Sequence, residues 1–490
     1  MTQPRQDMVY ATLENSRYTP YLLAKKLGAK AVLESASFAK GRERFSLLMC
    51  EEAFCVGEDE GGVFFEINGE KKAVFDEEFR AKFGEFCASK DAIGRDKTPD
   101  ILDALAYIAS QNKQPEGFSR VPLPASGIGY LGYEFAAKCD KINFAAQEDE
   151  LGVAESLFVV GHFYIILDHF TEQIHIFGLN YNEREIDLKA ALQRLLRKIN
   201  DLDFSYIQEE NVKTEFEILT DEEESKESYL SKVLTLKEHI AQGDIIQAVP
   251  SRRVKLKSSA TPFEVYGKIR KLNPSPYMFY INFGEFELVG ASPESLIRVR
   301  EGVATIHPIA GTTRRGGTDA QDALLSEQLA NNKKERAEHL MLVDLARNDL
   351  NRVCQSGSVE VKYYAQCELF SHVIHLVSCT QGRLKEGVTP LQALRAAFPA
   401  GTVSGAPKIS AMEILSRLEQ TKRRFYAGAV GYLDVSGDLD FCICIRAALY
   451  KNGVFSLQAG GGIVSDSQPA REWEETCEKL GAMVDVLTLD

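Results

Sequence analysis

Apolar positions along this 490-residue chain recur in two rhythms, and each change of rhythm marks an element. The apolar-rich runs Leu157–Asp168 and Gln173–Leu179 predict strands, followed by an amphipathic helix from about Glu183 to Asn200. Tyr229, Val233, Leu236 and Ile240 recur at helical spacing until Gly243 stops them. IIQAV, YMFYIN, FELVG and SLIRV then predict strands joined by short polar turns. Helical patterns follow at Lys333–Val353, Thr389–Phe398, Lys408–Glu419 and Pro469–Asp485. YAGAVGYLD, DFCICIRAALY and VFSLQAG succeed one another with turn signals between them, the order of an antiparallel sheet. An acidic, weakly periodic stretch at 206–227 reads as a linker or a solvated edge. It divides an N-terminal α+β unit (1–205) from a larger α+β unit (228–490).

Composition narrows the function. Acidic residues outnumber basic ones, 71 to 57, and no basic stripe is present to displace counterions from a nucleic acid. No apolar run approaches the ~20 residues of a membrane span, and the N-terminus has no signal or transit pattern. The ten cysteines are scattered without a C-x-x-C, which reads as reduced thiols in a cytoplasmic protein. Cys442 and Cys444 lie in FCICI, where strand packing explains them.

Several segments carry candidate chemistry. Glu335 and Glu338, three apart on a predicted helix, share a face; Glu472, Glu475 and Lys479 do the same on another. Four carboxylates that met would repel one another unless a cation bridged them, and an all-oxygen donor set points to Mg²⁺. Each pair alone equally fits a solvated helix face. QAGGG ends a strand before the second of these helices, either as a flexible turn or as an anion-binding backbone nest. Arg446, read as interior to a strand, needs either a core acid or a bound carboxylate. FPAGTVSGAPK is a shaped loop in which Thr402 or Lys408 could face a ligand, but it lacks the Walker spacing. GASPE holds Glu294 in a turn, where burial would make it a general acid. His375 sits among apolar neighbours, a setting common for core histidines.

The order of these segments resembles the chorismate-utilising enzymes. GDIIQAVPSRR, LVGASPESLIRV, HPIAGTTRRG, KKERAEHLMLVDLARNDLNRV, HVIHLVS, FPAGTVSGAPK, YAGAVGY and QAGGGIVSDSQPAREWEETCEK follow in sequence from about Tyr229 to the C-terminus. VLES at Val32–Ser35 and GIGYLGYE at Gly127–Glu134 are similar to the N-terminal unit of the large subunits of anthranilate-forming members. The resemblance implies an α+β fold of large antiparallel sheets packed face to face and flanked by helices, with the N-terminal unit interleaved. It implies Mg²⁺ on Glu338 and Glu475, supported by Glu335 and Glu472. Glu294 matches the acid that protonates the departing C4 hydroxyl, and His375 matches the histidine of pyruvate elimination, which overturns the core-histidine reading. Thr312, in HPIAGTTRRG, joins them by the same match. Tyr426 and Arg446 match holders of the enolpyruvyl carboxylate, with Gly460, Gly461 and Gly462 supplying N–H groups; Lys479 and Thr402 match further substrate contacts.

Two positions choose among family members. Isochorismate-forming relatives carry a water-activating lysine where this chain has Gln247, which cannot act as a base at neutral pH. Aminodeoxychorismate-forming relatives carry a nucleophilic lysine where this chain has Ala310. Both departures favour amination of chorismate by ammonia and release of pyruvate. The alternatives are those two synthases or a non-catalytic tryptophan sensor on the same scaffold. No cysteine lies in a glutaminase elbow, so the resemblance implies a separate glutamine amidotransferase small subunit and a heterotetramer. It further implies a tryptophan feedback pocket made by Glu34, Ser35, Asn273, Pro274, Ser275, Pro276, Tyr277 and Met278. Pro, Tyr and Met walls suit an indole, and Glu34 suits an amino group.

Overall fold

The computed structural model describes residues 8–37, 41–42, 44–73, 98–203, 214–369 and 373–488. Twenty-one of its strands connect into one hydrogen-bonded system, and their named pairings are antiparallel. Ser156–Asp168 is buried along its whole length because Tyr164 and Ile166 pack into one hydrophobic cluster while Phe163, Ile165 and Leu167 pack into another. Coverage on both faces explains why its sequence is nearly continuously apolar rather than alternating.

The predicted elements are largely present. Tyr277–Asn282, Gln173–Leu179 and Val454–Gly460 are strands, and Lys333–Val353 and Lys408–Glu419 are helices, at the expected bounds. The terminal helix is Pro469–Thr488. The N-terminal unit is interleaved with the rest: Ala31–Glu34 pairs with Tyr277–Asn282, and Ile128–Leu131 pairs with Ala429–Leu433. Backbone hydrogen bonds therefore cross the expected division at 206–227.

Three local expectations are corrected. Residues 206–213 of the acidic stretch lie outside the described residues, Phe216–Ile218 is an exposed strand, and the acidic end belongs to helix Glu222–Gln242, where Asp221 caps the Glu224 N–H. Glu222, Glu223 and Glu224 complement the positive end of the helix dipole, so charge that looked like linker is helix-starting chemistry. IIQAV contributes only the two-residue strand Gln247–Ala248, because Pro250 follows at once and cannot donate to a ladder. DFCICIRAALY is two strands, Leu439–Ile443 and Ala447–Lys451. Arg446 between them is left-handed, at φ 52°, so it lies at a bend rather than inside a strand.

Candidate active site

The site forms where strand Val454–Gly460 runs out against the terminal helix. A Cβ at Gly460 would lie 2.4 Å from the Pro250 carbonyl oxygen, and one at Gly462 would lie 2.5 Å from Gln247 Nε2. No side chain fits at Gly460, where backbone blocks it, whereas one at Gly462 would have to displace the Gln247 amide. At Gly461 the nearest atoms are Glu472 Oε2 and Tyr229 Oη, both 3.2 Å from the Cβ position, with Glu475 Oε1 at 3.8 Å. The cradle thus gathers Gln247 and two carboxylates around bare backbone. Tyr426 Oη lies 3.1 Å from the same point at Gly460.

The two acidic helices do converge. Glu335 Oε2 sits 3.1 Å from the Cβ position of Gly311, within strand Ile309–Arg314. Burial and the field of Glu335, Asp466 and Glu475 raise the Glu338 pKa, with Lys334 opposing. Burial and then Glu475 raise that of Glu335 against Lys334. Burial raises Glu472 too, with Glu475 adding to it. Its Oε2 is buried with no hydrogen-bond partner. Two lysines partly offset the repulsion: Lys479 Nζ is 2.7 Å from Glu475, and Lys334 Nζ is 3.9 Å from Glu338. Among the described residues no three such side chains stand close enough to hold a metal as they are. The donor chemistry nevertheless fits a hard divalent cation: oxygens alone, mutually repelling, with one oxygen left unpaired.

The remaining groups surround this centre. Glu294 occupies the turn between Glu287–Ser292 and Ser295–Arg300, and burial pushes its pKa up to about 7 while Thr402 and Lys479 oppose the shift. Both Glu294 and Thr402 line a small cavity of about 40 Å³, and Thr402 Oγ1 is buried without a partner in good hydrogen-bond geometry. His375 pairs across the sheet with Thr312. Its Nδ1 lies 3.0 Å from Thr312 Oγ1 and 3.2 Å from the Gly311 carbonyl. Burial, then the positive charge of Arg446, lowers its pKa and keeps the ring neutral. Arg446 donates to the Lys479 carbonyl at 3.0 Å, and Lys479 Nζ donates to the Gly460 carbonyl at 2.8 Å. Lys408 faces buried Asp349 at 3.4 Å, the counter-charge a largely buried ammonium needs. His339 is buried with its Nε2 2.6 Å from Ser378 Oγ.

Lys334, Asp466 and Tyr229 were missed by the sequence reading. Lys334 lies next to Glu335 in KKER and bridges Glu338 to Asp466, 3.5 Å away. Tyr229 scored only as an apolar helix position, yet its hydroxyl reaches Gly461.

A second, larger cavity of about 540 Å³ lies where the N-terminal strand joins the sheet. Glu34, Ser35, Pro276, Tyr277 and Met278 line it together with Arg298 and Asp440. Met278 and Glu34 are cross-strand partners, which brings two distant sequence blocks into contact. Asn273, Pro274 and Ser275 precede it without lining it. The Glu34 carboxylate is already engaged, by Arg270 Nε at 2.6 Å and Tyr266 Oη at 2.6 Å.

The chain belongs to the chorismate binding enzyme family, whose profile matches residues 68–485. Within it, the chain stands with the anthranilate synthase component 1 proteins. It is 46% identical to that protein of Spirochaeta aurantia, over 99% of this chain and 96% of the relative. It is 41% identical to that of Pseudomonas aeruginosa, over 80% and 81%. The crystal structure of anthranilate synthase component I from Streptococcus pneumoniae superposes with a TM-score of 0.75 at 33% identity, covering 90% of this chain and 92% of that one.

Proposed function

We propose that this chain is the magnesium-dependent catalytic component of an anthranilate synthase, converting chorismate and ammonia to anthranilate, pyruvate and water. The choice of nucleophile is supported by Gln247, whose amide lies against Gly462 in the cradle and which stands where isochorismate-forming relatives carry a water-activating lysine. An amide accepts no proton at neutral pH, whereas ammonia is a nucleophile without assistance.

Glu294, protonated below about pH 7, gives its proton to the C4 hydroxyl, which leaves as water while ammonia bonds to C2. Neutral His375, oriented by Thr312 and Gly311, stands by for the second step, in which the C2 proton is lost and the enolpyruvyl group departs from C3 as pyruvate. Arg446, Tyr426 and the Gly460–Gly462 amides bind the enolpyruvyl carboxylate, with Lys479 and Thr402 as further contacts. Glu338 and Glu475, aided by Glu335 and Glu472, would hold Mg²⁺, which supplies charge neutralisation for the ring carboxylate.

Ammonia comes from a glutamine amidotransferase small subunit, in a heterotetramer in the cytoplasm. No helix of the described residues is long and apolar enough to cross a membrane, which is compatible with that setting. Tryptophan occupies the 540 Å³ cavity and lowers chorismate affinity. The test is purified chain with chorismate, Mg²⁺ and ammonium, followed by anthranilate fluorescence. Glutamine in place of ammonium gives no product until the small subunit is added. Isochorismate or aminodeoxychorismate as the product would overturn the reading.

A further inference from the structure

Arg423 is the largest fully buried side chain of the described residues, 1% exposed, and its bonds leave its own segment in several directions. Its Nε donates to Glu419 Oε2 at 2.6 Å and its Nη2 to Glu419 Oε1 at 2.7 Å. Nη2 also reaches the Val249 carbonyl at 2.6 Å, and Nη1 reaches the Val403 carbonyl at 2.9 Å. Glu419 in turn accepts from the Ser251 N–H and hydroxyl, both at 2.7 Å. The guanidinium carbon lies 5.6 Å from the centre of the Tyr426 ring.

Each anchored point adjoins the site. Val249 is two residues from Gln247, Val403 follows Thr402, and Ser251 pairs across the sheet with Gly460. The segment carrying Arg423 and Tyr426 also contains three left-handed non-glycine residues, Gln420, Arg424 and Ala427, at φ 58°, 56° and 62°. Such conformations persist where surrounding contacts over-determine them.

We propose that Arg423, paired with Glu419, is a positioning residue for the chorismate reaction, fixing the loops of Gln247, Thr402, Tyr426 and Gly460 in one register. This rests on the function proposed above. Charge neutralisation alone does not require it: a buried ion pair can be replaced by apolar residues of similar volume without loss of stability. Two such residues could fill the space, but they could not tie the Val249 and Val403 carbonyls together.

That difference gives the experiment. Arg423→Met/Glu419→Leu and Arg423→Lys are compared with the parent chain by thermal melting and by steady-state kinetics with ammonium, per folded molecule. A parent chain that makes no anthranilate refutes the functional reading itself, independently of the variants. If the parent is active, positioning predicts a chorismate KM raised roughly tenfold to a hundredfold and a lower kcat in whichever variant melts near the parent temperature. Parental KM and kcat in a folded variant, with only the melting temperature lowered, overturn the proposal. Arg423→Lys keeps the buried charge paired, so it decides the matter if the double variant fails to fold.

Discussion

The Arg446 guanidinium donates to the main-chain carbonyl of Lys479 at 3.0 Å, tying the bend between two strands to the third turn of the terminal helix. A residue assigned to substrate is thereby also a clasp between the sheet and the helix that bears Glu472 and Glu475. Burial lowers the Arg446 pKa, so a bound carboxylate would relieve a charge that the protein only partly compensates. Arg446→Lys keeps a charge but loses the planar fork. It is expected to lower kcat/KM for chorismate about 100-fold, a loss of ~2.7 kcal/mol of transition-state binding, read from steady-state kinetics.

Replacing Glu294 should move activity and stability in opposite directions at alkaline pH. With its pKa raised to about 7, the acid form is depleted above that pH, so kcat should fall on the alkaline side. Its folded pKa exceeds its unfolded one, so its stabilising contribution is complete below the unfolded value and lost as pH rises through about 7. Glu294→Gln should cut kcat by roughly 100-fold or more. The same variant should melt no lower than the parent at pH 8, where the buried carboxylate is a liability. Scanning calorimetry beside a pH–rate profile checks both; full activity in the variant would remove Glu294 from the mechanism.

Glu338→Gln and Glu475→Gln should each abolish turnover at moderate Mg²⁺, because a neutral amide is a poor partner for a hard cation. Mg²⁺ titration by calorimetry in the presence of chorismate separates lost metal binding from misfolding. Unchanged Mg²⁺ affinity in both variants would disprove the ligand assignment.

Met278 is 4% exposed and lines the large cavity beside Glu34. Met278→Ala removes apolar contact amounting to ~1.5–3 kcal/mol, so the tryptophan concentration for half-inhibition should rise roughly tenfold or more. Turnover without tryptophan should stay near the parent value. Inhibition curves at fixed chorismate supply the check.

Arg395 and Asp100 form a buried pair at 2.6 Å that joins helix Pro390–Ala397 to the N-terminal helix Ile101–Ser110. Arg395→Ala removes the buried counter-charge of the Asp100 carboxylate, which keeps the Leu102 N–H it caps, and urea unfolding should show a loss of ~3–5 kcal/mol. A smaller loss would mean that water reaches Asp100.

Much of the fold was legible because periodicity is a local property. Lys333–Val353 and Lys408–Glu419 carry their helical pattern within themselves. The errors arose where local pattern was ambiguous. Three acidic residues read as linker until Asp221 capped them, and the apolar run through Arg446 read as one strand until a left-handed residue broke it.

By itself the sequence determined the ordered blocks that place the chain in its family, and the residue types at Gln247 and Ala310 that bear on the nucleophile. Those are matters of chemical identity, which a list of residues preserves. Only the tertiary structure decided which groups meet: Met278 with Glu34, His375 with Thr312, Arg423 with Val249 and Val403. Charge repulsion, burial and hydrogen bonding depend on distance through space, and separation along the chain does not encode that distance.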